Sequence, residues 1–445
     1  MKKNNVVPGA IVAVVVAVGA LAGTAVYLVK HRNAQNTATA ARLSPDSVSV
    51  VRLNVEALRA FAPAQSLRNE IMGNQQSAAL REARTRYEEA NRACGGELWQ
   101  TLRGLTVGVD KSLTEARNPS AWVAYLDTSL NAEQARRCAE YFVSQARSGE
   151  TLAASELSGQ TVYSPVRPGA QPGNREATLY FAEHTAALTE RSYMGTVIGL
   201  LRGTSPGLGT DHRLNVMLRQ LGGPNMLDGA VDLQQIRQQN AQSVNEAVDT
   251  LVRENPGQPD LTLARQLVTG GMALRQNNGG IVFEARGAFL QATVARPFTA
   301  AVEALIQARR SQAITTLEEV QGQLRGPAAL LALGNASLRQ QLDDVNAGLD
   351  ALRASLNQIT TRTDDLTTVV TLTMTPPQVQ AVERAIRSGG TLAEEMMGSR
   401  AARRRANPFP GGPFGAELGT PPPDDRGERA PTPEPQAQGD AGAAR

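Results

Sequence analysis

One stretch near the start of the chain limits its folding more than any other. Val6 to Val29 runs for twenty-four residues without a charge, between Lys2-Lys3 and Lys30-His31-Arg32. As a helix it would be roughly 36 Å long, more than a hydrocarbon core of about 30 Å. Its Val-rich composition is a mediocre helix former in water, but in lipid the backbone has to satisfy itself. The expectation is an uncleaved single-pass transmembrane anchor over residues 1–32, with the bilayer as the partner of residues 6–29 and Tyr27 at headgroup level. Two other readings stand beside it: a signal peptide cut near Ala20-Leu21-Ala22, and a helix buried in a soluble core. Basic residues flank both ends, so charge gives little on orientation. The short N-terminal flank and a pair of cysteines favour a signal-anchor protein of the inner membrane with its bulk on the periplasmic side.

Residues 33–45 are small and polar and read as a tether. Beyond them the pattern is α+β. Hydrophobic residues make up 41% of the chain but aromatics only 4%, so a core has to be built from Leu, Val, Ile and Ala. The expected architecture is two lobes of mixed or antiparallel sheet, each with helices packed on one face. They cover residues 46–232 and 263–390, joined by a polar helix and linker over 233–262. In the second lobe, Asn278-Gly279-Gly280 between two apolar runs is a strong hairpin signal, because Asn and Gly accept the positive φ of a tight turn. Leu366 to Met374 alternates cleanly between apolar and Thr-rich positions, as a strand with one buried face does. A strand, polar cap and amphipathic helix occur at Trp122 to Phe142 and again at Val369 to Ile386, a weak internal echo. Residues 391–445, rich in Pro, Gly and Ala, lack the apolar surface to offset the entropy of ordering and read as a disordered tail.

The most regular helical pattern is Leu338, Leu342, Val345, Leu349, Leu352, Leu356 and Ile359, spaced alternately by four and three. That is a heptad seam. It can serve as a coiled-coil interaction helix, pairing residues 337–359 with a second protein or a second copy. Or it can pack within the chain against Val302, Leu305, Leu317 and Val320, the arrangement favoured by Gly348 and by sparse flanking charge pairs.

Cys94 and Cys138 are the only cysteines. They are candidates for one disulfide, with two buried free thiols as the alternative. With only His31, His184 and His212 to add, and no pairing among them, no metal site and no cofactor are expected. The net charge of +3 is spread among interspersed acids and bases, which argues against a nucleic-acid partner.

Gly203-Thr204-Ser205-Pro206-Gly207 matches the G-x-S-x-G pattern of a nucleophile elbow, with Asp211 and His212 close behind. The residue after the nucleophile has to donate its N–H to the oxyanion, and here it is Pro206, which has none. Glycine pairs at 222–223, 270–271 and 279–280 lack the Lys-Ser/Thr of a phosphate loop and read as turns. Asp343-Asp344 and Asp364-Asp365 are neighbours in sequence and read as solvated or capping acids. No catalytic residue is assigned. The functional expectation is a non-catalytic binding, scaffold or assembly protein of the bacterial cell envelope. The alternatives are an envelope hydrolase built on Ser205 and His212, and a carrier of an apolar ligand in a cleft between lobes.

Overall fold

The first strand, Ser47–Asn54 (β1), stops at an asparagine that turns the chain straight into a helix. Asn54 Oδ1 accepts the Ala57 N–H at 2.6 Å and caps Val55–Ala60 (α1). The same device recurs where Leu227–Asp232 (β8) enters Leu233–Gln239 (α8). There Asp232 Oδ1 accepts the Gln235 N–H at 2.9 Å, and its backbone angles (φ −89°, ψ 90°) match those of Asn54 (φ −87°, ψ 93°). β1 and β8 lie side by side, antiparallel, at the centre of the molecule.

A computed structural model describes residues 42–389 except 74–77, 111–120, 147–148, 168, 170–172, 174–175 and 326–334. After α1 come Ala62–Gly73 (α2), Ala78–Cys94 (α3), the short Leu98–Thr101 (α4), Leu102–Asp110 (β2) and Trp122–Thr128 (β3). Ala132–Ala146 (α5) leads to Thr151–Leu157 (β4), Gln160–Val166 (β5), Ala177–Phe181 (β6) and Thr185–Glu190 (β7). Arg191–Leu201 (α6) and Arg213–Gln220 (α7) precede β8. After α8 follow Ala241–Glu254 (α9), a 3₁₀ segment Pro259–Gln266, Thr269–Asn277 (β9), Gly280–Ala288 (β10) and Ala292–Gln323 (α10). Ala336–Leu356 (α11), Thr360–Asp364 (β11), Thr367–Met374 (β12) and a helix over 376–389 (α12) complete the series. The β9–β10 hairpin turns at Asn278 and Gly279, both at positive φ (47° and 83°).

The strands form a single twelve-stranded sheet in the order β11-β12-β10-β9-β8-β1-β2-β3-β7-β6-β5-β4, antiparallel throughout. This corrects the expectation of two lobes with separate sheets: the outer edge of β1 is filled by β8, and the two halves share one sheet. Periodicity cannot reveal such a join, because it reports the faces of a strand and not its neighbour. Helices also lie on both faces rather than one.

One face is sealed by α6 and α7. Their Met194, Val197, Ile198, Leu214 and Met217 bury Val50, Tyr125, Ala187, Ala230 and Ala273. The approach is close enough to require glycine: a Cβ on Gly271 would come within 2.6 Å of the Met217 side chain, and one on Gly108 within 2.4 Å of Leu43. The other face carries α10, whose Thr299 hydroxyl bonds Thr368 of β12 (2.8 Å) and Thr363 of β11 (2.9 Å). At the opposite flank of that face, α5 packs on β4, β6 and β7.

Two further expectations are corrected. Among the described residues no helix is long and apolar enough to cross a membrane, so a single-pass inner-membrane protein with a signal anchor finds no support in the structure. The segment on which that expectation rested, residues 6–29, lies outside the described residues, as does the tail over 391–445. The coiled-coil reading of the heptad seam also gives way. Leu342, Leu349 and Leu356 are buried; Leu349 and Leu356 pack with Leu317 of α10, with Val345, Leu352 and Ile359 against them. Gly348 faces α12, where a Cβ would strike Ala385 at 2.2 Å. The seam is used up inside the chain because it has two intramolecular helices to cover it.

Candidate binding face

Register decides what the second face of the central strands looks like. Cross-strand partners in an antiparallel sheet point to the same side. Leu53 of β1 is opposite Leu105 of β2, which is opposite Leu126 of β3, which is opposite Ala186 of β7. In the other direction Leu53 is opposite Leu227 of β8, then Leu274 of β9, Phe283 of β10 and Leu372 of β12. Eight consecutive strands thus contribute eight apolar side chains to one row. A second row beside it runs Val107, Val51, Gly229 and Met272.

Leu126, Leu105, Leu53 and Leu227 are partly buried, as are Val107, Val51 and Met272. Leu274, by contrast, packs with Ile281 and Met374 against Phe61, Met226 and Val379, so the β9–β12 end of the row is covered. The residues one step along the same strands, pointing the other way, are closed off: Tyr125 at 0%, Thr106 at 0%, Arg52 at 5%, Asp228 at 6% and Ala273 at 1% exposure. With strands about 4.8 Å apart, the span from Leu126 to Phe283 is roughly 24 Å. At one end of the central strands α1 and its terminal Phe61, with Val379 of α12, pack over Leu274, Ile281 and Met374, and at the other Leu233 of α8 lies near Gly270.

Beneath the row, on the sealed side, Arg52 Nε and Nη2 bond Asp228 Oδ1 and Oδ2 at 2.6 and 2.7 Å, and Asn225 Nδ2 adds a third bond to Asp228 at 2.9 Å. This bidentate pair ties the two halves of the sheet together where they meet. Further out, Glu284 takes Arg286 Nε at 2.6 Å and Arg275 Nη2 at 2.9 Å. Burial alone would push its carboxyl up, but the two guanidiniums outweigh burial and hold it below the ordinary glutamate range. Asp110 accepts Ser47 Oγ at 2.7 Å and the Tyr193 hydroxyl; burial first, and then Asp110, push the Tyr193 phenol well up, so it stays a donor. These charged groups are consumed in internal pairs.

The residues singled out by sequence fall elsewhere. Cys94 and Cys138 are bonded, S–S 2.01 Å, stapling the end of α3 to α5 in a small cluster with Leu130. Ser205 closes the C-terminal turn of α6, its N–H bonded to Gly199 O at 3.1 Å. His212 Nδ1 accepts the Leu214 N–H at 3.3 Å as the cap of α7. Neither side chain is held as a nucleophile–base pair. Among the described residues no group of three His, Cys, Asp or Glu is placed to hold a metal ion. A depression of about 530 Å³ between α11 and α12 is lined by Ala336, Ser337, Gln340, Gln341, Asp344, Arg387 and Ser388. It is open and polar, and Asp344 there already accepts Ser388 Oγ at 2.9 Å. The leucine row was missed by sequence reading. Leu53, Leu105, Leu227 and Leu274 are ordinary strand residues far apart in the chain, and only their register assembles them.

No family profile matches the chain, and no curated protein matches it in sequence. Among solved structures it is similar to TP0453. Crystal form III of TP0453 aligns at a TM-score of 0.36 with 8% identity, over 77% of this chain and 97% of that one. Crystal form I aligns at 0.35 with 8% identity, over 79% and 98%. A likeness at that level carries no argument for the present chain.

Proposed function

We propose that this chain is a non-catalytic binding protein that holds an apolar ligand on the open face of its central strands. The observation that carries the reading is the run of leucines on four adjacent strands, Leu126, Leu105, Leu53 and Leu227, partly exposed on one side while the same strands are sealed on the other. Contiguous apolar surface of this kind costs solubility, and soluble proteins keep it where something binds. The face is uniformly hydrocarbon, so it suits recognition by burial and shape rather than by directional bonds. The charged and hydroxyl groups nearest to it are engaged with one another on the far side of the sheet, which favours holding over chemistry.

The test is titration of the protein with an environment-sensitive apolar probe, N-phenyl-1-naphthylamine. Saturable binding is expected, and a Leu53→Gln, Leu227→Gln double variant should lose it while keeping its circular dichroism spectrum. Absence of saturable binding, or equal binding by the folded variant, removes the reading.

A further inference from the structure

We infer that His212 is an acid-sensitive clasp: its protonation uncaps α7 and frees the first turn of that helix, with the loop before it, from the segment that leads into β1. Asn54, Asp232 and Asn335 cap their helices with side-chain oxygens, which remain acceptors through the neutral and mildly acid range. α7 is capped by an imidazole, His212 Nδ1 accepting the Leu214 N–H at 3.3 Å. A ring nitrogen accepts only while it carries no proton, so this cap exists in the neutral ring with its proton on Nε2. The cationic ring turns an N–H toward an N–H. It also sets a positive charge at the positive end of the helix dipole.

The surroundings hold the ring neutral. Burial pushes the imidazole below the ordinary histidine range. Asp232 at the end of β8 pulls it up, Arg213 on α7 pushes it down, and a backbone hydrogen bond at Pro45 pulls it up, with the lowering prevailing. Asp232 is already engaged: its Oδ1 takes the Gln235 N–H at 2.9 Å, its Oδ2 faces Arg213 Nη1 at 3.4 Å, and Arg237 faces it as well. Asp46 and Asp211, next in sequence to Pro45 and His212, are exposed, and Asp211 takes the Thr210 hydroxyl at 3.4 Å. A proton on His212 therefore has to share a carboxylate that other groups hold.

The cap secures more than one turn. Leu214 in that turn is wholly buried on the sealed face of the sheet. Asn215 Nδ2, beside it, bonds Leu208 O at 3.2 Å and Gly209 O at 2.7 Å. The Leu208 N–H bonds Leu43 O at 2.7 Å, and Leu43 fills the space over Gly108. The contacts run from α7 through the loop to the lead-in of β1, and the titrating group stands at their head. Because the folded value of His212 is lowered, the clasp contributes fully above the unfolded histidine value of about 6.5 and loosens as pH falls through the folded value.

The experiment is hydrogen exchange of the full chain, read by mass spectrometry between about pH 7.5 and about pH 5.5, with labelling times scaled for the intrinsic chemistry of exchange. Peptides over 208–218 and 42–47 should gain exchange severalfold on acidification. A peptide over 335–342, where Asn335 caps α11, should not. His212→Asn keeps a capping side chain that has no proton to gain, and should abolish the response. Arg213→Gln removes a cation that faces the ring, and should move the midpoint of opening to higher pH. A native response at 208–218 no larger than at 335–342 overturns the inference, as does a response that persists in His212→Asn. If that variant does not fold, Arg213→Gln decides: a raised midpoint supports the clasp and an unmoved one overturns it.

Discussion

The two faces of strands β2, β1, β8 and β9 are built from neighbouring residues and have opposite fates. On one, Val50, Arg52, Thr106, Asp228, Ala230 and Ala273 disappear beneath α6 and α7 or into the Arg52–Asp228 pair. On the other, Leu53, Leu105 and Leu227, all more hydrophobic than most of the buried set, stay partly exposed. The polar residues are inside and the leucines reach solvent. Hydrophobicity alone would have sorted them the other way. What sorts them is how fully each face is covered, and leucines left partly in water favour a surface that meets a partner.

That contrast can be broken at its strongest point first. Asp228→Ala leaves the buried Arg52 guanidinium without its carboxylate and should cost about 3–5 kcal/mol of unfolding free energy in urea. Leu227→Ala, one residue away on the open face, should cost well under half of that. Equal losses would mean that the two faces are equally buried in solution.

The helices over the outer part of the open face are stapled by Cys94–Cys138. Replacing both cysteines with serine opens a 44-residue loop and should cost about 2–4 kcal/mol, read as a lower denaturation midpoint. Probe binding at the central row should survive at temperatures where the variant remains folded. If it vanished there, the ligand face would extend under α3 and α5.

Smaller still, Leu105→Gln should change stability by no more than about 1 kcal/mol, because the side chain is only partly removed from water. The same substitution should weaken apolar-probe binding severalfold. A large stability loss without a binding loss would recast the row as an ordinary core.

The smallest effect concerns acid. Because the folded-state pKa of Glu284 is lowered, its contribution is complete above the unfolded glutamate value of about 4.3 and is lost as pH falls through the lower folded value. Between pH 6 and pH 3, Glu284→Gln should flatten the fall of Tm relative to the native chain. A steeper acid limb in the variant would reverse the assigned direction.

Local structure was the legible part. The alternation from Leu366 to Met374 lies on β12, and the Asn278-Gly279 signal lies at the β9–β10 turn. The internal echo pairs β3 and α5 with β12 and α12. In the sheet, β3 and β10 occupy equivalent places, each two strands out from its central strand and each leading into a helix on the open face, α5 and α10. The counterpart of β12 is β7, whose following helix α6 crosses to the sealed face instead. Strand-then-helix is too common a pattern to carry its own register, so sequence spacing could not choose between these matches.

Chain chemistry by itself determined where strands and helices form, which side chains share a face within each strand, and that Ser205 followed by Pro206 could not serve as a nucleophile elbow. Tertiary structure alone decided that β1 and β8 join two halves into one sheet, that the heptad helix is consumed within the chain, and that leucines from distant strands align in one row. The physical reason is range. A twofold repeat is a property of one strand and its solvent, whereas register and coverage depend on hydrogen bonds and packing between segments more than a hundred residues apart, as Leu53 and Leu227 are.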